Sequence, residues 1–382
     1  MVKNYLLTPG PTPLAPEVVA AMAQPILYHR AKEFEHLFEQ IRIDLRYLYE
    51  TAGDVLLFTS SGTGAMEAAV CNVLSPDQKA LVVRGGKFGE RWAELCQAYH
   101  VKLECIDVEW GESVEPAQVQ RHLEQDTEIR AVFVQASETS TGVAHDVQAI
   151  GEIVRKFPQT LLVVDAITAM GVSELRTDAW GLDIVVSGSQ KGLMLPPGLA
   201  FASVSEKAWS FVERAQLPRY YFDFRAEQAA QRKLQNAFTP AISLIMGLAV
   251  ALQLIRREGL EHVIARHARL ARMTRAAVRA LGLELLAKRA PSAAVTAVWN
   301  PPGVEGKAIV RGLHDRFGIT IAGGQGKLSG KIFRLAHLGY VEAGDILMGI
   351  AALETVLAQL GVAVTPGSGV AAAEAEFTRN DG

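Results

Sequence analysis

Asp165 closes the apolar run "LLVVD", and Lys191 follows the apolar run "IVVSG" within "SGSQK", 26 positions further on. A carboxylate at the end of a buried strand is costly unless it is paired. It can cap the next turn, or it can hold a cationic ring nitrogen. A partly buried lysine has a lowered pKa and can form a Schiff base with an aldehyde, although most lysines are surface groups. Three more groups stand at comparable places. Ser61, Gly62 and Thr63 open "SGTGAMEAAV", where a helix start can offer N–H and hydroxyl donors to an anion, or can be an ordinary capped turn. Phe88 in "RGGKFGERW" can stack on a planar ligand or pack as core. Arg334 in "FRLAHLG" can grip a carboxylate in a bidentate pair or form a surface ion pair. Each signal is weak alone. Together they describe a ligand with a phosphate, a flat aromatic ring, a protonated ring nitrogen and an aldehyde, which is pyridoxal 5'-phosphate.

The elements that must position these residues are legible between about residues 50 and 205. Short β-rich apolar runs end in small or polar residues: "DVLLFT", "ALVV", "AVFVQA", "LLVV", "IVVSG" and "LAFASV". Helix-like stretches usually follow. Continuous rather than alternating apolar runs suit parallel strands covered on both faces. The rhythm predicts a doubly wound α/β sheet, whose ligands bind beyond the carboxyl ends of the strands. After residue 240 a long apolar helix (241–255) and an Arg/Ala-rich helix (260–281) follow. Strands near 294–300 and 331–337 and a helix near 342–360 then suggest a smaller α+β domain. The small, polar tail over 366–382 is expected to be mobile.

Several other classes fit poorly. "GTGAME" lacks the third glycine of a dinucleotide fingerprint, and "GGQGKLSGK" fails the spacing of a phosphate-binding loop. With 382 residues, 49% hydrophobic and 21% charged, the composition is globular, and the length suggests about two domains. A net charge of −3 without basic runs argues against nucleic acid and against a membrane surface. Cys71, Cys96 and Cys105 have no metal spacing and read as reduced thiols of a cytoplasmic protein. The first residues show no signal-peptide pattern, and the apolar stretch at 241–255 is too short to span a bilayer.

Taken in order, "LLTPGPTPL", "SSGTGAMEA", "GGKFGERW", "ETSTGV", "VVDAITAMG", "SGSQKGL", "NAFTPAISL" and "FRLAHLGY" resemble the class V aminotransferases of the fold-type I PLP-dependent enzymes. The alanine–glyoxylate / serine–pyruvate aminotransferase group is the nearest likeness. The resemblance covers about residues 5–360. It implies a mainly parallel, seven-stranded-type sheet sandwiched by helices, with a smaller C-terminal α+β domain. It implies an N-terminal arm (1–15) lining the active site, a large PLP-binding domain (16–256) and a small domain (257–365). Lys191 would be the Schiff-base lysine and general base, and Asp165 the partner of the pyridine N–H. Phe88 and Ile167 would cover the two ring faces. Ser61, Gly62, Thr63 and Gln190 would hold the phosphate, and Thr139 would lie near the phenolic oxygen. Arg334 would bind the substrate α-carboxylate, with Gly10 of "TPGP" near the substrate. Asn236 and Thr239 would reach the phosphate of a neighbouring subunit, which implies a homodimer.

The activity implied is transfer of the amino group of alanine or serine to glyoxylate or pyruvate. Ureidoglycine and aminoethylphosphonate transaminases share the scaffold. A cysteine desulfurase fits less well, because Gln190 replaces the usual His before the lysine and all cysteines precede residue 106. A non-catalytic PLP-fold subunit would be expected to lack one of Lys191, Asp165 and Arg334.

Overall fold

The structure is a computed structural model that describes residues 4–379. Seven strands form the central sheet: β1 (Asp54–Phe58), β2 (Lys79–Arg84), β3 (Lys102–Asp107), β4 (Ile129–Gln135), β5 (Leu161–Asp165), β6 (Ile184–Gly188) and β7 (Ala200–Val204). Their spatial order is β1-β7-β6-β5-β4-β2-β3. β6 through β3 pair in parallel, whereas β7 runs antiparallel to both of its neighbours. The run "LAFASV" reads like the others because β7 is also buried on both faces. Apolar patterning reports burial and not strand direction.

Alternate residues of these strands feed two cores. Leu57, Leu81, Val83, Val132, Val134, Leu162, Val164 and Val185 face one way. They pack with the inner faces of α1 (Lys32–Tyr49) and α5 (Ile242–Glu258). Leu56, Val82, Phe133, Val163 and Val186 face the other way. There they meet α2 (Gly62–Val73) and α3 (Lys87–Ala98), with Trp92 against Phe133 at 4.7 Å between ring centroids. Each fully buried side chain of this size contributes about 1.5–3 kcal/mol. Such a doubly covered sheet therefore holds its carboxyl edge rigidly. α4 (Val147–Val154) lies on the α1 side, capped by the Asp146 side chain, which accepts from Ala149 N at 2.9 Å.

A third core gathers α6 (Leu260–Ala280), α7 (Ala343–Gln359) and a three-stranded antiparallel sheet. Its strands are β8 (Val295–Trp299), β9 (Ala322–Gly323) and β10 (Ile332–Ala336), with β10 in the middle. The N-terminal segment joins this core by pairing Tyr5–Leu6 in parallel with Ile319–Thr320. The same segment then crosses to the central sheet, where the Thr12 hydroxyl donates to the Lys191 carbonyl at 3.0 Å.

The expectation of a mobile tail fails over most of its length. Residues Ser368–Thr378 form a helix, α8, that packs along α6 with Gly369 and Ala373 buried. The Glu354 carboxylate accepts from Gly367, Gly369 and Val370 N–H groups at 2.7–3.1 Å and so anchors the helix start. Small residues there let α8 approach closely rather than leaving it without a core, a reading that low hydrophobic bulk concealed. Residues 380–382 lie outside the described residues. Among the described residues, no helix is long and apolar enough to cross a membrane, and the three cysteines are free.

Candidate active site

The carboxyl ends of β4, β5 and β6 meet at one edge of the sheet. Lys191 lies three residues beyond β6 on a turn fixed from several sides. Ser187 shares a 2.5 Å hydrogen bond with the buried Tyr49 hydroxyl of α1. Ser189 Oγ donates to the Pro196 carbonyl at 2.6 Å and accepts from Leu199 N at 3.1 Å. Lys191 is only 8% exposed, and its Nζ donates to the Pro9 carbonyl. The backbone of Gly10 lies against the lysine stem. A Cβ there would stand 2.7 Å from Lys191 Cδ, Cε and Nζ, and the φ of +141° also favours glycine. Burial pushes the Lys191 ammonium down to about 8. Asp165 opposes that shift, while Arg334 and Arg91 add to it.

Asp165 is 4% exposed. Its Oδ1 accepts from Ile167 N at 2.8 Å, so it does cap the turn after β5. One oxygen caps the turn and the other, Oδ2, is left without a hydrogen bond among the described residues. Burial pushes its carboxyl up to about 7. The Ile167 N–H, Lys191 and Arg91 pull it down, and the buried Glu138 pushes it further up.

Ser61 is the N-cap of α2, yet its hydroxyl makes no capping bond. Gly62 is buried beside Ile167, whose Cδ1 would lie 2.6 Å from a Cβ on the glycine. Gln190 also borders this turn. Its Oε1 is buried without a partner, 3.0 Å from where a Gly188 Cβ would sit. Thr63 Oγ1 accepts from Arg91 Nη1 at 3.2 Å. Phe88 is half-buried at the start of α3, with its N–H donating to Glu138 at 3.0 Å. The Thr139 hydroxyl shares a 2.6 Å bond with Thr168, just past Ile167.

Arg334, on β10, reaches this edge from the third core. Its Nε donates to the Gly323 carbonyl and its Nη1 to the Thr139 carbonyl, both at 2.9 Å. Those carbonyls fix the plane of the guanidinium without neutralising it. No carboxylate lies within ion-pair distance of it, and Nη2 has no hydrogen bond, among the described residues. Burial lowers Arg334 to about 10, with Glu138 opposing.

Asn236 and Thr239 are not brought to this cluster within the chain. Asn236 Nδ2 donates to Glu227 at 3.1 Å, its Oδ1 is buried and unpartnered, and Thr239 is exposed.

Two residues of the cluster escaped the sequence reading. Glu138, fully buried, accepts from Phe88 N and Gly89 N with one oxygen and from Ser140 N and Oγ with the other. A Cβ on Gly86 would fall 2.3 Å from its Cδ. Burial raises its pKa and these four hydrogen bonds lower it. The argument that singled out Asp165, an acid at the end of a buried run, applies equally to Glu138. Arg91 is the other. Its signal is the i,i+3 spacing from Phe88 on a helix that begins at the site.

The residues fit pyridoxal 5'-phosphate. An open carboxylate oxygen suits a protonated ring nitrogen, and a buried amine of lowered pKa suits an aldehyde. A helix start whose N–H groups have no side-chain cap suits a phosphate. An arginine with a free edge remains for a substrate carboxylate.

Comparison with known proteins agrees. The family model "Aminotransferase class-V" matches residues 4–337. The chain is 45% identical to the soluble hydrogenase 42 kDa subunit of Anabaena cylindrica, over 98% of this chain and 99% of that protein. It is 39% identical to the L-aspartate–glyoxylate aminotransferase of Paracoccus denitrificans, over 98% and 96%. The crystal structure of alanine–glyoxylate aminotransferase from Nostoc sp. superposes with a TM-score of 0.90 at 31% identity, over 94% of this chain and 96% of that one. The chain belongs to the class V aminotransferases and is a PLP-dependent transaminase of fold type I.

Proposed function

We propose that this transaminase moves the amino group of a small L-amino acid, alanine or serine, to glyoxylate or pyruvate. The observation that carries the reading is the closure of the N-terminal segment over Lys191. The Pro9 carbonyl and the Gly10 backbone lie against its stem and amine, which favours a substrate with a short side chain. The Nostoc neighbour, named as an alanine–glyoxylate enzyme, supports the same donor and acceptor.

Bound pyridoxal phosphate supplies an aldehyde that accepts the amino group and a ring that draws electrons from the substrate Cα. The chain's own residues do the rest. Lys191 supplies the amine that holds the aldehyde. With its amine free, Lys191 would take the proton from the substrate Cα and give it back, as general base and then general acid. A lysine pushed down to about 8 can both take and return that proton near neutral pH. Asp165 would pair with the ring nitrogen and keep it protonated. Phe88 and Ile167 would cover the ring faces, Thr139 would lie near the phenolic oxygen, and Ser61, Gly62, Thr63 and Gln190 would hold the phosphate. Arg334 orients the α-carboxylate, so that the Cα–H bond faces Lys191.

In this reading the segment 1–15, of which 1–3 lie outside the described residues, lines the site, 16–256 binds the cofactor and 257–365 carries Arg334. Two subunits form a cytoplasmic dimer, with Asn236 and Thr239 of each reaching the other's phosphate. The exposed Thr239, whose hydroxyl can donate, suits that use. The Paracoccus relative favours one competitor, aspartate as donor. Product analysis by mass spectrometry decides, with alanine, serine or aspartate offered together with glyoxylate or pyruvate. Alanine or serine should exceed aspartate at least about tenfold in kcat/KM, the discrimination expected when a poorly fitting side chain costs about 1.4 kcal/mol. A preference for aspartate would overturn the small-donor assignment.

A further inference from the structure

Arg91 stands in the first turns of α3, three residues after Phe88. Its guanidinium carbon lies 4.8 Å from the centroid of the Phe88 ring. Its Nη1 donates to Thr63 Oγ1 at 3.2 Å. It therefore touches one residue assigned to the ring of the cofactor and one assigned to its phosphate, on two different helices. A partly buried guanidinium is expected to pair with an acid. Here no carboxylate lies within ion-pair distance among the described residues, although Glu90 is its chain neighbour and pairs instead with Lys87. Its charge is felt at both Asp165 and Lys191.

We propose that Arg91 is a positioning residue for the cofactor, one that braces the Phe88 ring through its guanidinium face and ties that ring to the Thr63 hydroxyl. The planar guanidinium can do both at once, because it stacks with its face and donates with its edge. A lysine lacks the flat face. Glu138 fixes the backbone of Phe88 through the Phe88 N–H, but among the described residues no other charged group holds the Phe88 ring. Removing Arg91 leaves the ring free to turn about its side-chain torsions, and leaves Thr63 without the donor that fixes its hydroxyl. The inference rests on the proposed roles of Phe88 and Thr63.

The test is a double-mutant cycle read in the dissociation constant of pyridoxal phosphate. Cofactor is removed from purified holoenzyme and titrated back into wild type, Arg91→Met, Phe88→Leu, Thr63→Ala and the Arg91→Met/Phe88→Leu double variant. Melting of each apoprotein separates a structural role from a cofactor role. Arg91→Met should weaken cofactor binding about tenfold and leave the apoprotein melting close to wild type. Arg91→Lys should fall between the two, and it serves as the test if the methionine variant does not fold. The double variant should bind clearly less than about tenfold more weakly than Phe88→Leu alone, because the Thr63 contact is then all that Arg91 has left to hold. Unchanged affinity in Arg91→Met, or effects of the two changes that multiply in full, would overturn the inference while Phe88→Leu and Thr63→Ala still weaken binding. If Phe88→Leu and Thr63→Ala bind normally, the underlying assignment of the site fails, and the brace with it.

Discussion

Asp165 and Lys191 are both held in environments that oppose their charged forms, and each result can be measured. The folded-state pKa of Asp165, about 7, lies above the ordinary value of 3.8. The stability linked to its protonated form is present at low pH and is lost as pH rises through 7. Asp165→Asn should therefore raise the stability of the cofactor-free protein at pH 8 by roughly 1–3 kcal/mol, read as a higher Tm, while weakening cofactor binding. A lower Tm at that pH would contradict the account. Lys191 is shifted the other way, to about 8 from 10.5. Condensation with an aldehyde needs the neutral amine. The rate at which pyridoxal phosphate reloads the cofactor-free protein should climb with pH and level off just above 8. A rate still climbing at pH 10 would show an ordinary, solvated lysine.

At the scale of elements, rigidity comes from turns that tolerate no added atoms. Gly10→Ala would put a methyl 2.7 Å from three Lys191 atoms at a φ that disfavours it, and Gly62→Val would drive Ile167 out of place. Gly10→Ala should cost at least about tenfold in kcat/KM without abolishing folding, since the segment lies outside the central sheet. Circular dichroism and steady-state rates would test both halves of that statement. Glu138→Ala should be worse for stability, since four buried donors lose their acceptor at once. Losses of about 3 kcal/mol or more in denaturant unfolding are expected.

The strands were legible because each is a short apolar run ending in polar residues, and the ends locate the site. Strand direction was not, as β7 shows, because a strand buried on both faces carries the same pattern either way. Asp165, Lys191 and Arg334 were legible because a charge at a buried strand demands a reason. Glu138 obeys the same rule but is less legible, because it sits within the polar run "ETSTG" and not at the last apolar position of its strand. Arg91 was hidden among ordinary helix arginines until α3 placed it over Phe88.

For the whole molecule, the third core and the N-terminal segment bring Arg334 and Gly10 to a sheet edge that the first two cores make rigid. The helix α8 is part of that third core, packed on α6 and anchored by Glu354. Truncation after residue 365 should lower the Tm by several degrees yet leave cofactor affinity unchanged, because no α8 residue contacts the Lys191 cluster among the described residues. The most direct test of the account is the visible absorption spectrum of purified protein and of Lys191→Ala, each loaded with pyridoxal phosphate and then titrated with L-alanine, L-serine, L-aspartate and L-cysteine. Wild type should show a yellow band that alanine or serine bleaches, and Lys191→Ala should lack the reducible covalent link to the cofactor and catalyse no transamination. No band in wild type after added cofactor, with Lys191→Ala indistinguishable from it, would contradict the central claim.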